Sequence, residues 1–134
     1  MVEPTTQGVE PKPAQREITK VLIVDDDETI RTTLGDIFRK RGYFIAAVGT
    51  AAEALEQVKK NPFHFAVIDI HLPDMSGTEL LEQIRKINFK INCIMITGHS
   101  EEKPEVSVEK GAMAHLMKPL KLDQLMAIFN RKEV

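Results

Sequence analysis

From Ile18 onward the chain alternates between short continuous apolar runs and longer stretches in which apolar residues recur every three or four positions. The two patterns have different physical meanings. A run of four to six apolar residues suits a strand buried on both faces, and a three-and-four recurrence suits a helix that buries one face. The runs predict strands at Lys20 to Asp25, Tyr43 to Val48, Phe65 to Ile70, Ile91 to Ile96 and Ala114 to Met117. Most are continuously apolar, as a sheet covered on both sides requires. Five repeats of strand followed by helix specify an α/β fold.

The helical stretches carry their own punctuation. The first places Ile30, Leu34, Ile37 and Phe38 on one face, and Gly42 after Arg41 is a C-terminal stop. The second runs from about Ala51 to Lys60, turns Ala54, Leu55 and Val58 inward, and ends before Asn61-Pro62. The third shows Leu80, Leu81, Ile84 and Ile87, and the last Leu122, Leu125, Ile128 and Phe129, all expected in the core. A fourth helix, in SEEKPEVSVEKG between Ser100 and Gly111, is expected to be short or irregular, because Pro104 fits a first turn but not a helix interior. Residues 1–17, with Pro4, Pro11 and Pro13 and only two valines as sizeable apolar side chains, read as a disordered tail or linker. The domain is expected to occupy residues 18–131.

Composition narrows the possibilities. With 134 residues, 43% apolar and 28% charged, the chain suits one core and not two. Eighteen Lys and Arg against 20 Asp and Glu give a net charge of −2, which argues against direct nucleic-acid binding and against an anionic membrane surface as partner. The single cysteine, Cys93, lies in an apolar run, so an intramolecular disulfide and a cysteine zinc site are excluded. No apolar stretch approaches the roughly 20 residues that span a bilayer, and the N-terminus has no signal-type apolar core. A soluble cytoplasmic protein is expected.

In an open parallel α/β sheet, ligands bind beyond the carboxyl ends of the strands. Here the first strand ends in Asp25, Asp26 and Asp27, the third in Asp69, the fourth in Thr97 and the fifth in Lys118-Pro119. Two carboxylates 4 Å apart repel by about 4 kcal/mol at an effective dielectric of 20, so such a cluster calls for a hard cation. Few oxygen ligands with room left for water favour Mg²⁺ over Ca²⁺. Asp27 and Glu28 read equally well as caps of the following helix. Lys118 supplies a charge and Thr97 a hydroxyl donor for an anion at the same rim.

These residues resemble a known family. VLIVDDDETIR resembles the acidic first-strand motif of the receiver domain of two-component response regulators, AVIDIHLPDMSG its phosphoacceptor motif, IMITG its Thr strand and LMKP its Lys-Pro. The similarity covers Ile18 to about Arg131. It implies a flavodoxin-like, doubly wound sheet of five parallel strands in the order 2-1-3-4-5, with five helices, and a cis peptide before Pro119. It implies that Asp69 is the phosphoacceptor, that Asp26 binds Mg²⁺ directly and Asp25 through metal-bound water, and that the backbone carbonyl of His71 completes the site. Thr97 and Lys118 would each hold a phosphoryl oxygen. The implied function is a phosphorylation-activated signalling switch. A sensor histidine kinase or histidine phosphotransfer protein would be the donor, an output partner would read the altered surface, and the chain would be a monomer or a phosphorylation-dependent dimer. Such a domain is no enzyme beyond its own phosphorylation and dephosphorylation.

Some features depart from the family. His115 stands where members carry Tyr or Phe, so the coupling of that position to Thr97 is expected to differ. The interval from Thr97 to Lys118 is about one residue short, and 100–111 is expected to be mobile or irregular. His71 and His99 flank the pocket without forming a transition-metal site. Two rival readings are a receiver-like scaffold or dimerisation module without phosphorylation and a phosphatase resembling the haloacid dehalogenases. Those phosphatases carry an acid-base Asp two residues after the nucleophile, where this chain has His71. The sequence stops at Val134 with no effector following, so it reads either as a stand-alone regulator or as a fragment.

Overall fold

The computed structural model describes residues 18–98 and 108–133, the last three by backbone alone. In chain order the elements are β1 (Lys20–Val24), α1 (Glu28–Lys40), β2 (Phe44–Val48), α2 (Ala51–Lys60), β3 (Phe65–Asp69), α3 (Gly77–Ile87), β4 (Asn92–Thr97), β5 (Ala114–Met117) and α4 (Leu122–Glu133). The expected tail at 1–17 and most of the expected fourth helix lie outside the described residues. Val108 and Glu109 are helical and lead into Gly111, whose φ of 109° is open to glycine and strained for other residues.

The five strands are parallel and lie in the order β2-β1-β3-β4-β5. This is the 2-1-3-4-5 order that the resemblance implies. The registers run from Lys20 opposite Phe44, from Val21 opposite Phe65, from Phe65 opposite Asn92 and from Ile94 opposite Ala114. All five carboxyl ends therefore meet at one rim.

Alternate residues of each strand feed two separate cores, because side chains along a strand point to opposite faces. On one face Leu22, Val24, Ala66, Ile68, Cys93 and Met95 pack against Ala54, Val58, Leu80, Leu81 and Ile84 of α2 and α3. On the other, Val21, Ile23, Phe65, Val67, Ile94 and Ile96 meet Leu34 and Phe38 of α1 and Leu125, Ile128 and Phe129 of α4. Phe129 anchors this second layer, with its ring centroid 4.4 Å from that of Phe65 and 5.3 Å from that of Phe38. Burying a side chain of this size contributes about 2–3 kcal/mol. In the first layer Cys93 is fully buried, and burial pushes its thiol up to about 12.

One core assignment is corrected. Ile87 keeps the helical spacing of Leu80 and Ile84, but it is the last residue of α3 and is 43% exposed, because it lies past the part of the helix that packs on the sheet. Three helices start on side-chain caps, of which the sequence reading named only Asp27. Asp27 accepts from the Thr29 N–H, Thr50 from that of Glu53, and Ser76 from that of Glu79. No helix among the described residues is long and apolar enough to cross a membrane.

Candidate functional site

β1 delivers Asp25 to the rim with its backbone still paired, the N–H donating to the Val48 carbonyl at 3.0 Å. Its side chain is buried, and Oδ1 accepts the Asp27 N–H at 2.9 Å. Asp26, the next residue, is exposed. Central strand β3 delivers Asp69, also buried, whose Oδ1 accepts the His71 N–H at 3.0 Å. Lys118, just past β5, donates from Nζ to Asp69 Oδ2 at 3.2 Å. The same Nζ lies 3.3 Å from Asp25 Oδ2, close enough for an ion pair although the contact is not aligned as a hydrogen bond.

Carboxylate oxygens of Asp25, Asp26 and Asp69 lie within 4.8 Å of one another. Thr97 ends β4, fully buried, one step past the pairing of Asp69 with Ile96, and its carbonyl accepts the Lys118 N–H at 2.8 Å. The Lys118-Pro119 peptide is cis, as expected. His71 is exposed and touches the cluster through its backbone N–H. Asp27 stands outside the acidic cluster as the cap of α1, and of its two readings the structure favours that one. His115 is half-buried on β5, opposite Met95. His99 falls outside the described residues.

The electrostatics of the cluster favour a cation. Burial raises the Asp25 carboxyl above the ordinary carboxylate range and the Asp69 charge adds to it, against the opposing pull of the Asp27 N–H and Lys118. Burial alone would lower Lys118, but Asp25 and Asp69 outweigh it and hold the ammonium above its usual value. Three carboxylates face one ammonium, and the buried Oδ2 of Asp25 has no hydrogen-bond partner. A buried carboxylate oxygen held only by a poorly aligned ion pair is costly unless something further compensates it. An all-oxygen set with two uncompensated negative charges fits a hard divalent ion such as Mg²⁺.

Three residues within the quoted motifs were assigned no role by sequence. Arg31 donates from Nη1 to the Asp25 carbonyl at 2.8 Å and so ties α1 to the end of β1. Gly77 begins α3 against the backbone of β3, where an added Cβ would lie 2.7 Å from Ile70 Cα. Asp74 accepts backbone N–H groups from Ala51 and Ala52. Arg31 has a faint signal, since it lies less than two turns beyond the acidic run on a helix that starts there. A glycine straight after a Ser cap is another. Asp74 has none, because its partners are more than 20 positions away. Beside Lys118, Ile30, Leu34, Pro119 and Leu120 line a cleft of about 260 Å³ between α1 and the β5–α4 connection.

The sequence profile described as the response regulator receiver domain matches residues 21–130. Sporulation initiation phosphotransferase F of Bacillus subtilis is 34% identical over 107 residues, covering 79% of this chain and 86% of that one. The chain spans only 25% of another relative, transcriptional regulatory protein ZraR of Escherichia coli, at 33% identity over 112 residues and 83% of this chain. A CheY-like receiver domain protein of Methanospirillum hungatei superposes with a TM-score of 0.80 at 37% identity, over 87% of this chain and 94% of that one. The CheX–CheY–BeF3–Mg²⁺ complex of Borrelia burgdorferi gives a TM-score of 0.79 at 27% identity, over 87% and 90%. Sheet order, rim chemistry and these likenesses agree, and the chain belongs to the response regulator receiver domain family.

Proposed function

We propose that the chain is a phosphorylation-activated switch in which Asp69 accepts a phosphoryl group from a phosphohistidine of a sensor kinase or histidine phosphotransfer protein. The observation that carries this reading is the placement of the buried Asp69 Oδ2. It lies 3.2 Å from Lys118 Nζ, in a cluster with the carboxylates of Asp25 and Asp26. Asp25, Asp26, Asp69 and the backbone carbonyl of His71 would hold Mg²⁺. When bound, the ion supplies charge neutralisation between the carboxylates and the phosphoryl oxygens.

The protein's own groups do the remaining work by positioning. The Asp27 N–H holds one oxygen of Asp25 and the His71 N–H one oxygen of Asp69, which leaves Asp69 Oδ2 as the nucleophile. That oxygen forms a bond to phosphorus as the P–N bond to the donor imidazole breaks. The electron pair stays with the imidazole nitrogen. Lys118, freed from Asp69 Oδ2 as it is esterified, pairs with a phosphoryl oxygen, and the Thr97 hydroxyl donates to another. Hydrolysis follows when water attacks phosphorus and the P–O bond to Asp69 breaks, returning the carboxylate. The domain would catalyse only these two steps upon itself.

A phosphoryl group brings about −1.5 to −2 charges and new acceptor oxygens, which biases a two-state surface for an output partner or a second copy. The fold neighbour solved as a CheX–CheY–BeF3–Mg²⁺ complex supports both the ion and a partner surface. We assign the role to residues 18–131, with 1–17 as a tail, acting in the cytoplasm. Intact-mass measurement after incubation with acetyl phosphate, with and without Mg²⁺, tests the reading. A Mg²⁺-dependent phosphoryl adduct that vanishes in Asp69→Asn is expected. A folded chain that takes no adduct under fast trapping would instead be a scaffold.

A further inference from the structure

Asp74 lies exposed in the β3–α3 connection, five residues after Asp69. Its two carboxylate oxygens reach across to the first turn of α2. Oδ1 accepts the Ala51 N–H at 2.9 Å and Oδ2 accepts the Ala52 N–H at 3.0 Å. These bonds hold the carboxyl below its ordinary range.

Helix α2 already has a cap of its own. Thr50 Oγ1 accepts the Glu53 N–H at 3.2 Å, and Glu53 Oε1 accepts the Gly49 N–H at 3.1 Å. This local arrangement caps the Glu53 N–H and leaves those of Ala51 and Ala52 to Asp74. The connection that carries Asp74 is equally well closed at its base. Gly77 N–H donates to the Ile70 carbonyl at 2.6 Å, His71 bridges Ser76, and the His71 N–H holds Asp69 Oδ1. Leu72 and Met75 pack this loop against the α2–α3 core, and Asp74 adds the hydrogen bonds that tie its tip to α2.

We infer that Asp74 is a positioning residue for the phosphorylation site, clamping the loop tip to α2 so that the His71 backbone is held where it can serve Asp69 and the Mg²⁺ site. The inference rests on the function proposed above. It also explains why the residue is a carboxylate. Two N–H donors side by side require two acceptor oxygens, and Asn would offer one oxygen and set an NH₂ against the other donor. The fractional positive charge of a helix N-terminus favours the anion further.

The alternative is that Asp74 merely caps α2, and Thr50→Ala isolates that role because it removes a cap from the same turn without touching the loop. Wild type, Asp74→Ala, Asp74→Asn and Thr50→Ala are compared by calorimetric Mg²⁺ titration without phosphodonor and by amide exchange at His71 to Ser76. Asp74→Ala is expected to weaken Mg²⁺ binding by ~10-fold, as loss of outer supports of a metal site does, with Thr50→Ala within about twofold of wild type. Asp74→Asn falls between, and it carries the test if the alanine variant does not fold. Faster exchange at His71 accompanies the loss in both Asp74 variants. Unchanged Mg²⁺ affinity in both Asp74 variants, with a melting loss like that of Thr50→Ala, overturns the positioning role and leaves the functional reading standing. A folded wild type that binds no Mg²⁺ overturns both.

Discussion

Asp25 carries a strain that its neighbours do not relieve. Its folded-state pKa is raised by burial and by Asp69, so its favourable contribution to stability is fully present below the ordinary carboxylate value and is lost as pH rises through the raised one. Near neutrality, without a divalent ion, its burial beside Asp69 works against the fold. Lys118 is shifted in the same sense but at higher pH, with its attraction intact below the usual lysine value and lost only in alkali. Asp25→Asn, which keeps an acceptor for the Asp27 N–H, is therefore expected to stabilise the metal-free protein near neutral pH by on the order of 1 kcal/mol. The gain should vanish in acid, below the ordinary carboxylate range, and Mg²⁺ binding should be lost. Urea unfolding at the two pH values checks this, and a less stable variant near neutrality would refute it. The residues legible in the sequence, Asp25, Asp26, Asp69, Thr97 and Lys118, share one property. Each sits at or just past the end of a strand, so once the strands are drawn the rim is drawn with them. Arg31 has only a faint signal and Asp74 none, because their partners are a backbone carbonyl and two backbone N–H groups, which do not show in side-chain pattern.

At the scale of elements, the β3–α3 connection links the phosphoacceptor strand to its flanking helix with little slack. Gly77 both starts α3 and presses on β3, held there by its own N–H on the Ile70 carbonyl. A methyl group at this position meets backbone on the strand side, where neither partner can swing away. Gly77→Ala is expected to destabilise the fold by about 1–3 kcal/mol, the range for overpacking a tight site. It should also lower the rate of Asp69 phosphorylation, because the displaced backbone is that of Asp69 and Ile70. Denaturation and acetyl-phosphate kinetics on the same sample measure both effects, and a wild-type rate with wild-type stability would refute the close contact. Helices and strands were otherwise legible from periodicity, since continuous apolar runs and helical spacing were both long enough to be distinct. Ile87 shows where that reading ends, because spacing reports a helix face and not the point at which the face leaves the sheet. Strand order was equally invisible to local pattern and came from the resemblance, since parallel neighbours are joined by crossovers of variable length.

On the scale of the whole molecule, the sheet is a partition with an independent apolar layer on each side and the reacting groups along one edge. A layer sealed in this way also seals whatever chemistry lies inside it. Cys93 is the only thiol in the chain and sits fully buried against the α2–α3 layer, with its ionisation pushed to about 12. A thiol reagent can reach it only when that layer opens, so its modification rate is a clock for opening events. The protein thus carries a built-in gauge of its own occupancy. If Mg²⁺ binds only the folded form, a hundredfold excess over its Kd should slow the modification of Cys93 about 100-fold under native conditions.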